Sequence, residues 1–137
     1  MTRKPQIAVV GPGADICTRA EYDFAFDLGR RLVDEHMIII CGGMGGVMEA
    51  VCEGARVSPN YIYPSTVGLT PFADEKHANP FIDIRIPTGI GAARNFLVAN
   101  AGDVMVVIGG GAGTLAEIAF AWKTGKTIIA VTGVPGA

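Results

Sequence analysis

The sequence predicts a doubly wound α/β fold, a parallel sheet with helices on both faces, built by residues 1–137 as one domain. Short apolar runs recur along the chain, each too short for a helix and rich enough in Val and Ile for a strand buried on both sides. Each run is followed by a turn, usually glycine-bearing, and then by a stretch of helical periodicity, the alternation that produces right-handed crossovers and a single parallel sheet. Half of the 137 residues are hydrophobic and only 18% are charged, which suits a buried sheet and suffices for one core.

Residues 7–10 form the first strand, and Gly11-Pro-Gly13 stops it. Thr18 and Glu21 have the spacing of a capping box, while Phe24, Ala25, Leu28, Gly29, Leu32 and Val33 share one stripe of a helix expected at 19–35. The second strand, 37–41, ends in Gly42-Gly-Met-Gly-Gly46 before a short helix carrying Val47, Met48, Val51 and Cys52. Pro59, Asn60 and Pro64 break the pattern, so the third strand is placed at 66–69, and 71–80 reads as a solvated loop. Residues 81–86 alternate apolar and polar, as a strand exposed on one side does, and Pro87-Thr-Gly-Ile-Gly91 leads into a helix at 92–101 with Arg94 and Asn95 in its first turn. The fifth strand, 104–108, runs into Gly109-Gly-Gly-Ala-Gly113 and a helix that ends at Gly125; residues 127–132 form the last strand. No helix follows to cover that strand, so either the chain is shortened or a partner subunit covers the face. Leu115, Ile118, Ala119, Phe120 and Trp122 make the preceding helix more apolar than one sheet face requires, and a homodimer or higher homo-oligomer through these helices is expected.

In such a sheet every strand-to-helix turn opens on the same edge, at the carboxyl ends of the strands, where open α/β sheets bind ligands. The turns at 11–13, 42–46, 88–91, 109–113 and 132–133 therefore converge. A glycine turn followed by a helix N-terminus offers unpaired backbone N–H groups and the positive end of a helix dipole, which together favour a phosphate. A phosphorylated, nucleotide-like small molecule is the expected ligand, contacted by Gly11, Gly42, Gly43, Gly46, Asn95, Gly110, Gly111, Gly113 and Thr114. Arg94 adds a planar, permanently charged fork suited to phosphate. Glu117 lies one turn inside the last helix, and Thr114-Leu-Ala-Glu117 also fits a capping box.

Several classes are disfavoured. The net charge of −2 provides no basic field for nucleic acid. The odd count of three cysteines has no paired metal spacing and His36 and His77 lie far apart, so no metal or cofactor is expected and a reduced, cytoplasmic setting is. The N-terminus lacks the apolar core of a signal peptide, and no run approaches a membrane span.

Gly109-Gly-Gly-Ala-Gly-Thr-Leu-Ala-Glu117, preceded by Arg94 and by Gly42-Gly-Met-Gly-Gly-Val-Met-Glu49, resembles the motif set of the Lonely Guy family over nearly the whole chain. The resemblance implies a Rossmann-like fold, oligomeric assembly and hydrolysis of the N-glycosidic bond of nucleoside 5′-monophosphates to base and ribose 5-phosphate. It places Arg94 and Glu117 on the two catalytic positions and Gly110, Gly111, Gly113 and Thr114 on the phosphate turn. Gly109 stands where the family has proline, Ala116 where a glutamate is frequent, and Asn95 where it has lysine. Thr88-Gly-Ile-Gly-Ala-Ala-Arg-Asn95 is closer to a sister branch that includes molybdenum cofactor carrier proteins, which implies the alternative of a non-catalytic carrier for a phosphorylated pterin. A further relative, the DNA-processing protein A domain, binds single-stranded DNA, which the acidic balance here disfavours.

Overall fold

A computed structural model describes residues 2–136. Six strands, β1 (Gln6–Val10), β2 (Ile38–Cys41), β3 (Thr66–Thr70), β4 (Ile84–Pro87), β5 (Val104–Val107) and β6 (Thr127–Ala130), form one sheet in the order β4-β3-β2-β1-β5-β6. Every neighbouring pair is parallel, with Ala8 opposite Ile40 on one side of β1 and opposite Met105 on the other. The helices are α1 (Arg19–Asp34), α2 (Val47–Arg56), α3 (Arg94–Ala101) and α4 (Ala112–Lys123), with a 3₁₀ turn at Gly91–Ala93 before α3. This is the expected α/β Rossmann-like architecture.

Strand alternation sorts the core into two layers. Ile7, Val9, Ile39, Cys41 and Val106 face α1 and α2 through Ala25, Val33, Val47, Val51 and Cys52. Ala8, Val10, Ile40, Leu69, Met105 and Val107 face α3 and α4 through Val98, Ala99 and Ala121. In the first layer the helices meet main chain to main chain: a Cβ on Gly29 would strike the Val51 carbonyl, and one on Gly54 would strike that of Phe26. The Thr18 capping box is present, with the Thr18 N–H donating to Glu21 Oε1 at 2.8 Å and the Glu21 N–H to Thr18 Oγ1 at 3.1 Å.

One strand starts later than its alternation suggests. Phe81 and Ile82 belong to the connection into β4: Asn79 Oδ1 accepts the Phe81 N–H at 3.0 Å, and Ile82 is buried against the α1/α2 layer. Between them and β4 lies Asp83, whose carboxylate accepts from Tyr61 Oη at 2.7 Å, the Ser65 N–H at 2.8 Å and Arg56 Nη2 at 3.3 Å. This buried acid ties the irregular 57–65 segment to the far side of the sheet.

Candidate functional site

The strand order reverses beside β1: β2, β3 and β4 add on one side and β5 and β6 on the other. The chains leaving β1 and β5 therefore diverge to opposite faces and open a crevice at their carboxyl ends. A cavity of 360 Å³ lies there, lined by Gly11, Pro12 and Gly13 after β1, by Gly42 after β2, by Arg94 and Asn95 of α3, and by Gly111, Gly113, Thr114 and Glu117 of α4 and its entry. Val9, Ile16, Met48, Pro71 and Ala92 complete the wall.

Eight of the expected residues thus meet in one cavity: Gly11, Gly42, Arg94, Asn95, Gly111, Gly113, Thr114 and Glu117. Gly43, Gly46 and Gly110 do not line it. Gly43 and Gly46 take positive φ (76° and 67°) to turn β2 into α2, and part of that turn's polar groups is spent internally. The Gly43 carbonyl accepts the Asn79 N–H and the Pro12 carbonyl accepts the Val47 N–H, at 2.9 and 3.0 Å, so the start of α2 does not present that donor to a ligand. Gly110, at φ 136°, brings the chain back against the Thr114 side chain.

That reversal sets the chemistry of α4. The helix begins at Ala112 with Gly111 as its cap, so Thr114 is the third helical residue and does not cap it. The capping box expected from Thr114 and Glu117 is therefore absent; Glu117 turns inward, and at 5% exposure it makes no side-chain hydrogen bond among the described residues. The first-turn N–H groups of Ala112, Gly113 and Thr114 likewise have no backbone acceptor among the described residues, the arrangement that suits an anion.

Arg94 lies across the cavity from α4. Its guanidinium rests on Gly42, where any Cβ would collide with Nη1, and Nη1 donates to Asn95 Oδ1 at 2.7 Å. Asn95, which stands where the resembled family has lysine, thus removes a second positive charge and steadies the first. Arg94 Nε is buried without a hydrogen-bond partner, as is the hydroxyl of Thr70 at the end of β3. Burial lowers the Arg94 pKa from its ordinary value, with Glu117 and Cys41 opposing that shift. Burial pushes the Glu117 carboxyl up to about 7, with Arg94 pulling the other way. No ion pair joins the two. Beneath them, Cys41 and Cys52 place their sulfurs 3.7 Å apart, and the hydrogen bond between them lowers the Cys41 thiol.

The wall contributed by Ile16, Met48 and Pro71 carries no sequence signal, since each is an ordinary apolar residue brought in by the fold. Among the described residues no three His, Cys, Asp or Glu side chains are grouped to hold a metal, and no helix is long and apolar enough to cross a membrane.

Comparison with known proteins matches residues 4–136 to the model of the SLOG cluster4 family. An uncharacterized protein of Archaeoglobus fulgidus is 37% identical over 123 residues, which are 90% of this chain and 77% of that protein. Among solved structures, the molybdenum cofactor binding protein of Rippkaea orientalis is 35% identical with a TM-score of 0.87, over 95% of this chain and 77% of that one. The Moco carrier protein of Chlamydomonas reinhardtii is 33% identical with a TM-score of 0.83, over 94% and 76% of the two chains.

Proposed function

Because this chain belongs to the SLOG cluster4 family, within the Lonely Guy superfamily, we propose that it is a carrier that holds a phosphorylated pterin, such as the molybdenum cofactor, without consuming it. The observation that carries this reading is the cavity's inventory: free helix N–H groups and one arginine to hold a phosphate, and a single carboxylate. Cleaving an N-glycosidic bond by the usual carboxylate pair needs one group to protonate the leaving base and another to stabilise charge on the sugar or activate water. Glu117 is the single carboxylate among the described lining residues, so hydrolysis here would have to run on the Arg94 and Glu117 combination that the resemblance implies and not on a carboxylate pair. The volume of 360 Å³ sits near the lower end of the roughly 300–1,000 Å³ typical of small-molecule sites, enough for one compact ligand. The two named neighbours, a molybdenum cofactor binding protein and a Moco carrier protein, support the same reading.

In this reading the phosphate lies on the N–H groups of Gly113 and Thr114, Arg94 faces it from α3, and Asn95 Nδ2 offers donors to a ring carbonyl. Incubation with molybdenum cofactor and, separately, with a panel of nucleoside 5′-monophosphates tests it. Expected are stoichiometric retention of the cofactor on gel filtration and no ribose 5-phosphate.

A phosphoribohydrolase is the second reading, favoured by the Glu117 carboxyl at about 7, poised for proton transfer near neutrality. Ribose 5-phosphate that appears with the wild type and vanishes in Glu117→Ala would establish it and displace the carrier reading. We further propose self-association through α4 and β6, supported by Leu115, Trp122 and Ile129, which are 67%, 80% and 51% exposed. Sedimentation of the wild type against Trp122→Glu reads this out directly.

A further inference from the structure

We propose that loading of the cavity is coupled to the uptake of one proton by Glu117, so that the phosphorylated ligand is held by the Glu117-protonated protein and released as that proton leaves. The inference rests on the phosphorylated-ligand reading above and adds to it a means of release.

Geometry carries it. Glu117 lines the same cavity as the free first-turn N–H groups of α4, one turn beyond them on the same helix. An anion on those groups shares the cavity with the Glu117 carboxylate, and like charges in one site disfavour each other. Glu117 is 5% exposed and no protein group among the described residues donates to its carboxylate, so its ionised form depends on whatever occupies the cavity. The Arg94 guanidinium makes no ion pair with it and commits Nη1 to Asn95 Oδ1. Adding a phosphate to an ionised Glu117 would set two anions against one cation. Taking a proton from solvent onto a carboxylate oxygen removes that conflict and converts an acceptor into an O–H donor facing the ligand. No other bond changes.

The surrounding charges leave this role to Glu117. From α3 it feels Arg94, and from β2 the Cys41 thiol, which is fully buried. Asp15, on the β1–α1 connection, is exposed, and β1 and the start of α4 contribute only apolar or neutral residues to the cavity, Val9, Gly113 and Thr114. The carboxyl already titrates at about 7 in the unliganded protein, because burial outweighs Arg94, and a bound anion raises it further.

The test is isothermal titration calorimetry of the full chain with AMP and with 6-hydroxymethylpterin phosphate, in two buffers of different ionisation enthalpy, from about pH 6 to about pH 9. At about pH 8 the phosphate monoester is already a dianion, and the wild type is expected to take up close to one proton per ligand bound. Its Kd should weaken by up to about tenfold per pH unit above about 7, where the unliganded carboxyl ionises, and level off once the bound-state carboxyl ionises as well. Glu117→Gln, whose side chain donates at every pH, should bind AMP with no proton uptake and a flat Kd profile from about pH 7.5 upward, where the phosphate is a dianion. Binding by the wild type without proton uptake overturns the coupling and leaves the phosphorylated-ligand reading standing. Uptake that persists in Glu117→Gln also overturns it, since the proton then resides on the ligand or elsewhere. Absence of binding by either probe overturns the phosphorylated-ligand reading and the coupling together.

Discussion

Replacing Glu117 with glutamine changes how stability depends on pH, and the size of the effect follows from its surroundings. The Glu117 carboxyl is raised from 4.5 to about 7 by burial. Below the lower value the group is protonated in both folded and unfolded chains and contributes its full share to stability. As pH rises from 4.5 to about 7 the unfolded chain ionises freely while the folded one resists, so stability falls across that window and levels off above it. A shift of this size corresponds to about 3 kcal/mol. Glutamine cannot ionise, so Glu117→Gln and the wild type should be close in stability at about pH 4.5 and differ by about 3 kcal/mol, in favour of the variant, at about pH 8. For 137 residues the unfolding entropy is about 0.3 kcal/mol per kelvin, which turns the difference into a Tm gap of ~10 °C. Thermal denaturation by circular dichroism at a series of pH values, checked by urea unfolding, measures it. Parallel stability profiles for the two proteins across this range would refute the reasoning, because they would mean that the carboxyl is not raised in the folded state.

Removing the positive charge with Arg94→Ala should weaken binding of a phosphate-bearing probe by about 10- to 100-fold in calorimetry, the usual loss for a charge-assisted contact. The same variant should move the Glu117 titration above 7, since Arg94 is the group holding it down; the pH–stability profile reports this without any ligand. Gly54→Ala drives a methyl group into the Phe26 carbonyl and should cost about 1–3 kcal/mol in urea unfolding, with the site chemistry unaltered. Asp83→Ala leaves the Ser65 N–H and the Tyr61 hydroxyl without their acceptor and should cost about 2–4 kcal/mol, again by urea unfolding.

The strands and helices were legible because their signals are local. Val and Ile runs mark β1, β2 and β5, glycine turns punctuate them, and Thr18 with Glu21 announces the start of α1. Convergence of turns on one edge also follows from alternation alone, and it brought Gly11, Gly42, Arg94, Asn95, Gly111, Gly113, Thr114 and Glu117 into a single cavity. What escaped depends on tertiary partners. Gly43 and Gly46 look like ligand glycines in sequence, yet they serve the backbone turn and its packing against Thr70 and Pro12. The motif at 114–117 has capping-box spacing, but positive φ at Gly109 and Gly110 starts the helix three residues earlier and frees Glu117 for the interior. Asp83 gathers partners from positions 56, 61 and 65, a stretch without periodicity, so nothing local marks it as a structural hub.

The glycine crossing of α1 and α2 divides the molecule into parts with different freedom to change. On that side main chain rests on main chain, and almost no substitution fits at Gly29 or Gly54. Arg94, Asn95, Thr114 and Glu117 all project from the opposite helical layer, α3 and α4, where contact is between side chains such as Phe96 and Phe120, stacked edge to face at 4.9 Å. Side-chain contacts can be exchanged residue by residue without displacing the strands beneath. The lining of the pocket can therefore be altered on one layer while the other keeps the foundation still, so what the pocket admits is separable from what holds the sheet.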